Sequence, residues 1–149
     1  MKFIYNDGGR EAAGYKGNAG DCTVRAIAIA TDQPYKQVYD DLFEMNRQDV
    51  STNKKRVYAK MGKRIDCSPR NGNTKTSTTT KYLARFGWTW TSTMGTGYRV
   101  HMRTDELPPG RIIVRLSRHL AAVIDGVLHD THNCTRGGTR CVYGYWTKE

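Results

Sequence analysis

Ser117-Arg-His-Leu-Ala-Ala-Val-Ile-Asp-Gly-Val-Leu-His-Asp-Thr-His-Asn133 is the stretch on which the reading of the fold turns. At its centre, Asp125-Gly126 is a dipeptide that favours a two-residue type I′ turn, because both turn positions need positive φ. Such a turn sets Ile124 opposite Val127, so Val123 faces Leu128, Ala121 faces Asp130 and His119 faces His132. Side chains alternate along a strand, which puts His119 and Asp130 on one face as diagonal neighbours and leaves Leu120, Ala122, Ile124 and Val127 as an apolar opposite face.

Working outward, the C-terminal part continues as β-structure. Val100 and Met102, Arg111 to Leu116, Val127 to Thr131 and Val142 to Trp146 carry strand patterns, and Pro108-Pro109-Gly110 and Gly137-Gly138 mark turns between them. Trp88-Thr-Trp-Thr91 alternates and reads as a further strand. The N-terminal part is different. After an extended start, Phe3 to Tyr5, a glycine-rich run from Asn6 to Gly20 reads as a loop. Asp21 is expected to cap a helix, Cys22 to Ala30, that is apolar all round except for Arg25 and therefore suits burial between layers. A second helix is expected from Asp32 as cap, with Pro34 in its first turn and a stripe of Tyr35, Val38, Tyr39, Leu42 and Phe43; Lys36, Asp40 and Asp41 face water. Thr52 to Met61 reads as a short helix, Asp66 to Thr74 as a mobile polar loop, and Thr76 to Phe86 as a helix closed by Gly87. Helices first and an antiparallel sheet afterwards describe a single α+β domain over residues 1–149.

The chain carries three Trp, nine Tyr and three Phe, too many for a disordered polypeptide even at a mean hydropathy of -0.69. Its longest apolar runs, Ala26 to Ala30 and Leu120 to Ile124, fall far short of the ~20 residues that span a bilayer. The start lacks the ~7–15-residue apolar core of a secretory signal, so a cytoplasmic location with reduced cysteines is expected and no membrane partner. The net charge of +10 is concentrated: from Lys54 to Arg103 there are twelve basic residues and one acid, Asp66. The segment at about 51–103, expected to be partly mobile, thus supplies a positive field. Lys54, Lys55, Arg56, Lys63 and Arg64 are candidates for binding nucleic acid or another polyanion. Tyr58, Tyr82, Trp88 and Trp90 could stack on bases there or belong to the core.

Cys22 falls in the first turn of its expected helix, where unsatisfied N–H groups and the positive end of the dipole favour a thiolate. A thiol there, a histidine on a later strand and a carboxylate on the next match the needs of nucleophilic acyl transfer: Cys22 as nucleophile, His119 as base and Asp130 to orient it. Gly14-Tyr-Lys-Gly-Asn-Ala-Gly-Asp-Cys22 leading into an apolar helix, the hairpin quoted above and the closing Val142-Tyr-Gly-Tyr-Trp146 together resemble the papain-like cysteine peptidase superfamily. The chain also resembles short proteins encoded by tailed phages. The resemblance implies a Cys-bearing helix packed on an antiparallel sheet and a thiol hydrolase, of cysteine peptidase or isopeptidase type, that cleaves a peptide or related amide bond in a protein or peptide substrate. It also implies a setting in the cytoplasm of an infected bacterium, with incorporation into the virion as an alternative. The family often has glutamine six residues before the nucleophile. Lys16 stands there in this chain, so Asn18 and the Cys22 backbone N–H become the candidate oxyanion donors.

Two other classes of function compete with this one. The first is a non-catalytic basic protein that blocks a nucleic-acid or protein target of the host, and the second is a peptidoglycan amidase with the same Cys-His logic. A zinc site built from His129, His132, Cys134 and Cys141 is disfavoured, because His129 and His132 point to opposite strand faces and the cysteines lack Cys-x2-Cys spacing. No cofactor is expected, and a Cys134–Cys141 disulfide would form only on oxidation.

Overall fold

A computed structural model describes residues 1–17, 19–72 and 74–148. The chain is α+β, with four helices and a six-stranded sheet among the described residues. The strands are β1 (Lys2–Tyr5), β2 (Trp88–Ser92), β3 (Val100–His101), β4 (Arg111–Leu116), β5 (His119–Ile124), β6 (Val127–Asp130), β7 (Cys141–Val142) and β8 (Gly144–Lys148). The main sheet runs β1-β6-β5-β4-β8-β2, and β3 pairs with β7 in a separate ribbon.

The central hairpin forms in the expected register, with Ile124 opposite Val127, Val123 opposite Leu128 and Ala122 opposite His129. Asp125 and Gly126 take φ of 48° and 77°, the two positive values a type I′ turn requires. A side chain at position 126 would meet Thr104 Cγ2 at 2.5 Å, so glycine is needed there for space as well as conformation. One expectation is corrected: the sheet is mixed rather than antiparallel, because β1 runs parallel to β6 with Tyr5 opposite Asp130. A second correction concerns Val142 to Trp146, which is two strands. The chain changes partners at Tyr143, whose N–H donates to Arg115 O at 2.8 Å, and Gly144 then passes directly under the Trp90 ring.

Helix α1 (Cys22–Thr31) is buried along almost its whole length and lies on the face carrying Leu120, Ala122, Ile113 and Trp146. Helix α2 (Tyr35–Asp49) packs on α1, and α4 (Thr76–Ala84) packs on α2 and β2. Helix α3 (Thr52–Lys60) buries no residue. The opposite sheet face, with Ile112, Val114, Leu116, Ala121, Val123 and Leu128, is covered by Met102, Cys134 and Val142 from the β3–β7 ribbon and its flanking loops. The segment expected to be partly mobile thus contains α3, α4, β2 and β3.

Helix boundaries differ from expectation in instructive places. Asp32 does not cap α2; it takes φ 57° and closes α1 as its left-handed C-cap, while Pro34 stands at the N-cap of α2. Phe43 is half-exposed, and Met45 and Asn46 are buried in its stead, so the α2 stripe is Tyr35, Val38, Leu42, Met45 and Asn46. Asn46 belongs inside because its amide donates to Cys67 O at 3.0 Å and Thr74 Oγ1 at 3.1 Å. No described helix is long and apolar enough to cross a membrane.

Candidate functional site

Helix α1 runs alongside β5, so its first residue, Cys22, lies next to the strand's first residues, His119 and Leu120. Because β6 is antiparallel to β5, Asp130 at its end returns to the same edge of the sheet. His119 Nε2 is 2.6 Å from Asp130 Oδ2, and the Cys22 thiol lies near enough to the same imidazole for each to shift the other's protonation. By strand parity His119 belongs to the ribbon-side face, opposite Leu116, whereas Cys22 comes from the helix side. The two meet because both sit at the end of the sheet, where a ring can reach past the last backbone pair. The buried Cys134 approaches the same imidazole from the ribbon side.

Asp21 does not cap α1, contrary to expectation: its side chain makes no capping bond. It is instead fully buried and accepts from Tyr35 Oη at 2.5 Å and, very closely, from Arg25 Nη1 one turn along the helix; Arg10 Nε lies 3.1 Å away. Charge pairing explains the difference, since a carboxylate with two guanidiniums and a phenol gains more than a carboxylate accepting from one backbone N–H. Arg10 also donates to the carbonyls of Lys16 and Gly17 at 3.0 and 2.7 Å, which fastens the glycine-rich loop in front of Cys22. Arg25, buried in α1, donates from Nη2 to Asp130 Oδ1 at 3.4 Å, and Thr131 N–H donates to the same oxygen at 2.7 Å. A continuous polar chain therefore links Arg10, Asp21, Arg25, Asp130 and His119. Arg25 was the one charge in an otherwise apolar helix, four residues after an acid. That was the available signal for its role, and the partner Asp130 is too distant in sequence to be read from it.

These contacts set the protonation states. Burial pushes the Cys22 thiol up, but the hydrogen bond and charge of His119, the Leu120 backbone and the charge of Arg25 outweigh it and hold the thiol below its ordinary 9.0. Burial pushes His119 down, but bonds with Asp130, Cys134 and Cys22 carry it up to about 11. Asp130, raised by burial and lowered by His119, Thr131 and Arg25, ends below 3.8. The two shifts run in the same sense, toward a thiolate on Cys22 and a proton on His119. A cleft of ≈ 720 Å³ is lined in part by Arg10, Lys16, Asp21, Arg25 and His132, so it reaches the chain neighbours of Cys22 and Asp130 but is not lined by those two residues or by His119. Asn18, the candidate oxyanion donor, lies outside the described residues.

The residues once considered for zinc do not gather: among the described residues the clustered donors are His119, Asp130 and His132, with ligand atoms within 4.8 Å of one another. Arg25 and His119 hold the Asp130 carboxylate from two sides, at 3.4 and 2.6 Å. His129 bonds Asn6 at 3.3 Å instead, and Cys134 and Cys141 are both free thiols. Lys54, Lys55, Arg56, Lys63 and Arg64 are all exposed, but Tyr82 and Trp88 are buried and Trp90 packs on Trp146 at 4.5 Å, so these three are core aromatics and not stacking platforms. No protein-family model, curated protein or solved structure matches the chain.

Proposed function

We propose that the protein is a thiol hydrolase that cleaves a peptide or related amide bond through Cys22, His119 and Asp130. The observation that carries this is one imidazole held at 2.6 Å by a buried carboxylate, with a thiol at a helix N-terminus close enough for the ring to lower its pKa. In this mechanism the Cys22 thiolate attacks the carbonyl carbon, and the oxyanion forms against first-turn N–H groups of α1, which have no intrahelical acceptors. The His119 imidazolium gives its proton to the departing amine as the C–N bond breaks, which leaves a thioester on Cys22. Neutral His119 then takes a proton from water, the resulting hydroxide attacks the thioester, and the carboxylic acid and the thiolate–imidazolium pair are released. Asp130 keeps the ring oriented throughout and Arg25 keeps Asp130 ionised. The setting would be the one the sequence resemblance implies, a bacterial cytoplasm during phage infection.

The test combines trapping with mutation. An electrophilic peptide ketone is expected to add to Cys22 ahead of Cys67, Cys134 and Cys141, as read by peptide mass spectrometry. Cys22→Ala and His119→Ala should each abolish turnover, and the double variant should be no worse, since losses within one catalytic unit do not add. Asp130→Asn should cost less, because it orients and does not react. Labelling of another cysteine first, or a Cys22→Ala protein with full activity, would sink the proposal.

A second reading rests on a specific observation: α3 buries nothing and presents Lys54, Lys55 and Arg56 to water, with Lys63 and Arg64 just beyond. A helix held without a buried face is suited to an electrostatic partner, and a polyanion-binding role would follow from that surface alone.

A further inference from the structure

We infer that the free edge of β1 docks an extended polypeptide, which adds to the sheet as one more strand and passes from Tyr5 into the cleft beside Cys22. This deepens the thiol-hydrolase reading by naming an unfolded or extended chain as the substrate class. It rests on that reading for the peptide's fate but not for its binding.

β1 is an outer strand whose one sheet partner is β6. Asn6 N–H donates to Asp130 O at 2.9 Å, so the alternation of a parallel ladder turns the main-chain groups of Ile4 and Lys2 toward β6. Those of Phe3 and Tyr5 consequently face outward, and none of the described hydrogen bonds uses them. Phe3, Ile4 and Tyr5 are also 37%, 50% and 66% exposed. An unpaired, apolar edge of this kind is a template for strand addition, and proteins ordinarily guard it with proline, bulges or charges. Here Lys2 is the strand's lone charge. The outer strand at the other side of the sheet, β2, exposes Thr89, Thr91 and Ser92 and keeps Trp88 buried.

The chemistry on offer identifies the occupant. Alternate outward N–H and C=O groups flanked by apolar side chains match the backbone of an extended peptide, and main-chain pairing tolerates many sequences. The position identifies its destination. β1 is parallel to β6, so it ends where Asp130 and His119 meet, and Tyr5 lines the same cleft as Asp21, Arg25 and His132. A strand added outside β1 lies about 14 Å from β5 at ~4.8 Å per strand, a distance that four or five extended residues cover.

The experiment uses fluorescein-labelled casein, an unfolded polypeptide, titrated by anisotropy with the full-length Cys22→Ala protein and with the same protein carrying Phe3→Pro or Tyr5→Pro. Proline at these outward positions removes only an unpaired N–H and leaves the β6 ladder intact. Phe3→Ala retains the N–H and separates the side chain from the backbone. Binding should weaken roughly tenfold with either proline and less with alanine. In parallel, amide exchange of the Cys22→Ala protein with excess casein should show new protection at Phe3 and Tyr5, a readout that needs no proline variant to fold. Absence of casein binding, absence of that protection, or proline variants that bind equally well would each overturn the inference. Edge-dependent binding by Cys22→Ala together with a wild-type protein that never cleaves casein would uphold docking and overturn the hydrolase. Cleavage that is indifferent to Phe3→Pro and Tyr5→Pro would do the reverse.

Discussion

Cys22 and His119 each charge the other, and their coupling has a sign that can be measured. Burial alone would raise a thiol and lower an imidazole; the observed directions are reversed because each supplies the other's counter-charge and Asp130 supports the ring. Alkylation follows the thiolate, so the midpoint of the Cys22 carboxamidomethylation rate should lie below pH 9.0 in the wild type. In His119→Ala the counter-charge and hydrogen bond vanish while most of the burial persists, and the midpoint should climb above 9.0. Iodoacetamide rates across pH, resolved by mass spectrometry for each cysteine, check this. A midpoint unmoved by His119→Ala would mean that the helix end alone activates the thiol.

Helix α1 is held at its functional end by ionic contacts and elsewhere by apolar packing. Arg25 lies between two buried carboxylates, Asp21 just before its own helix and Asp130 on β6, so it ties the helix that begins at Cys22 to the strand that ends at Asp130. Removing one member of a buried ion pair leaves an uncompensated charge, which typically costs about 3–5 kcal/mol. Arg25→Met is expected to lose stability on that scale in urea denaturation. Asp21→Asn combined with Arg25→Met should lose less than the two single changes added together, because the orphaned charge is removed with its partner. Strict additivity would show that the Asp21–Arg25 contact contributes nothing. Elsewhere along the chain the elements followed local chemistry: β4 and the β5–β6 hairpin lie where alternation and Asp-Gly place them. The β7–β8 break at Tyr143 and the exchange of Phe43 for Met45 and Asn46 in the buried stripe of α2 depended on neighbours far away in sequence.

Across the whole molecule the charge is lopsided, with the basic residues of the 51–103 segment on α3, α4, the loops between them and the two ends of β3. A field of that kind is screened over about 10 Å at 0.1 M salt. Retention on heparin should therefore fall steeply with ionic strength and with joint replacement of Lys54, Lys55 and Arg56 by glutamine; salt-insensitive retention would rule out an electrostatic surface. The fold class, the central hairpin and its register, the apolar character of α1 and the closeness of His119 to Asp130 were legible in the sequence. Turn chemistry, strand alternation and helix-end position are local properties, each contained in a few consecutive residues. Tertiary structure decided what depends on residues brought from afar. The parallel pairing of β1 joins Tyr5 to Asp130, the buried carboxylate of Asp21 gives up capping for Arg10, Arg25 and Tyr35, and Cys134 approaches the His119 imidazole from the far face of the sheet. In each case a side chain or strand edge has two admissible local uses, and the energy of a partner more distant in the chain selects between them.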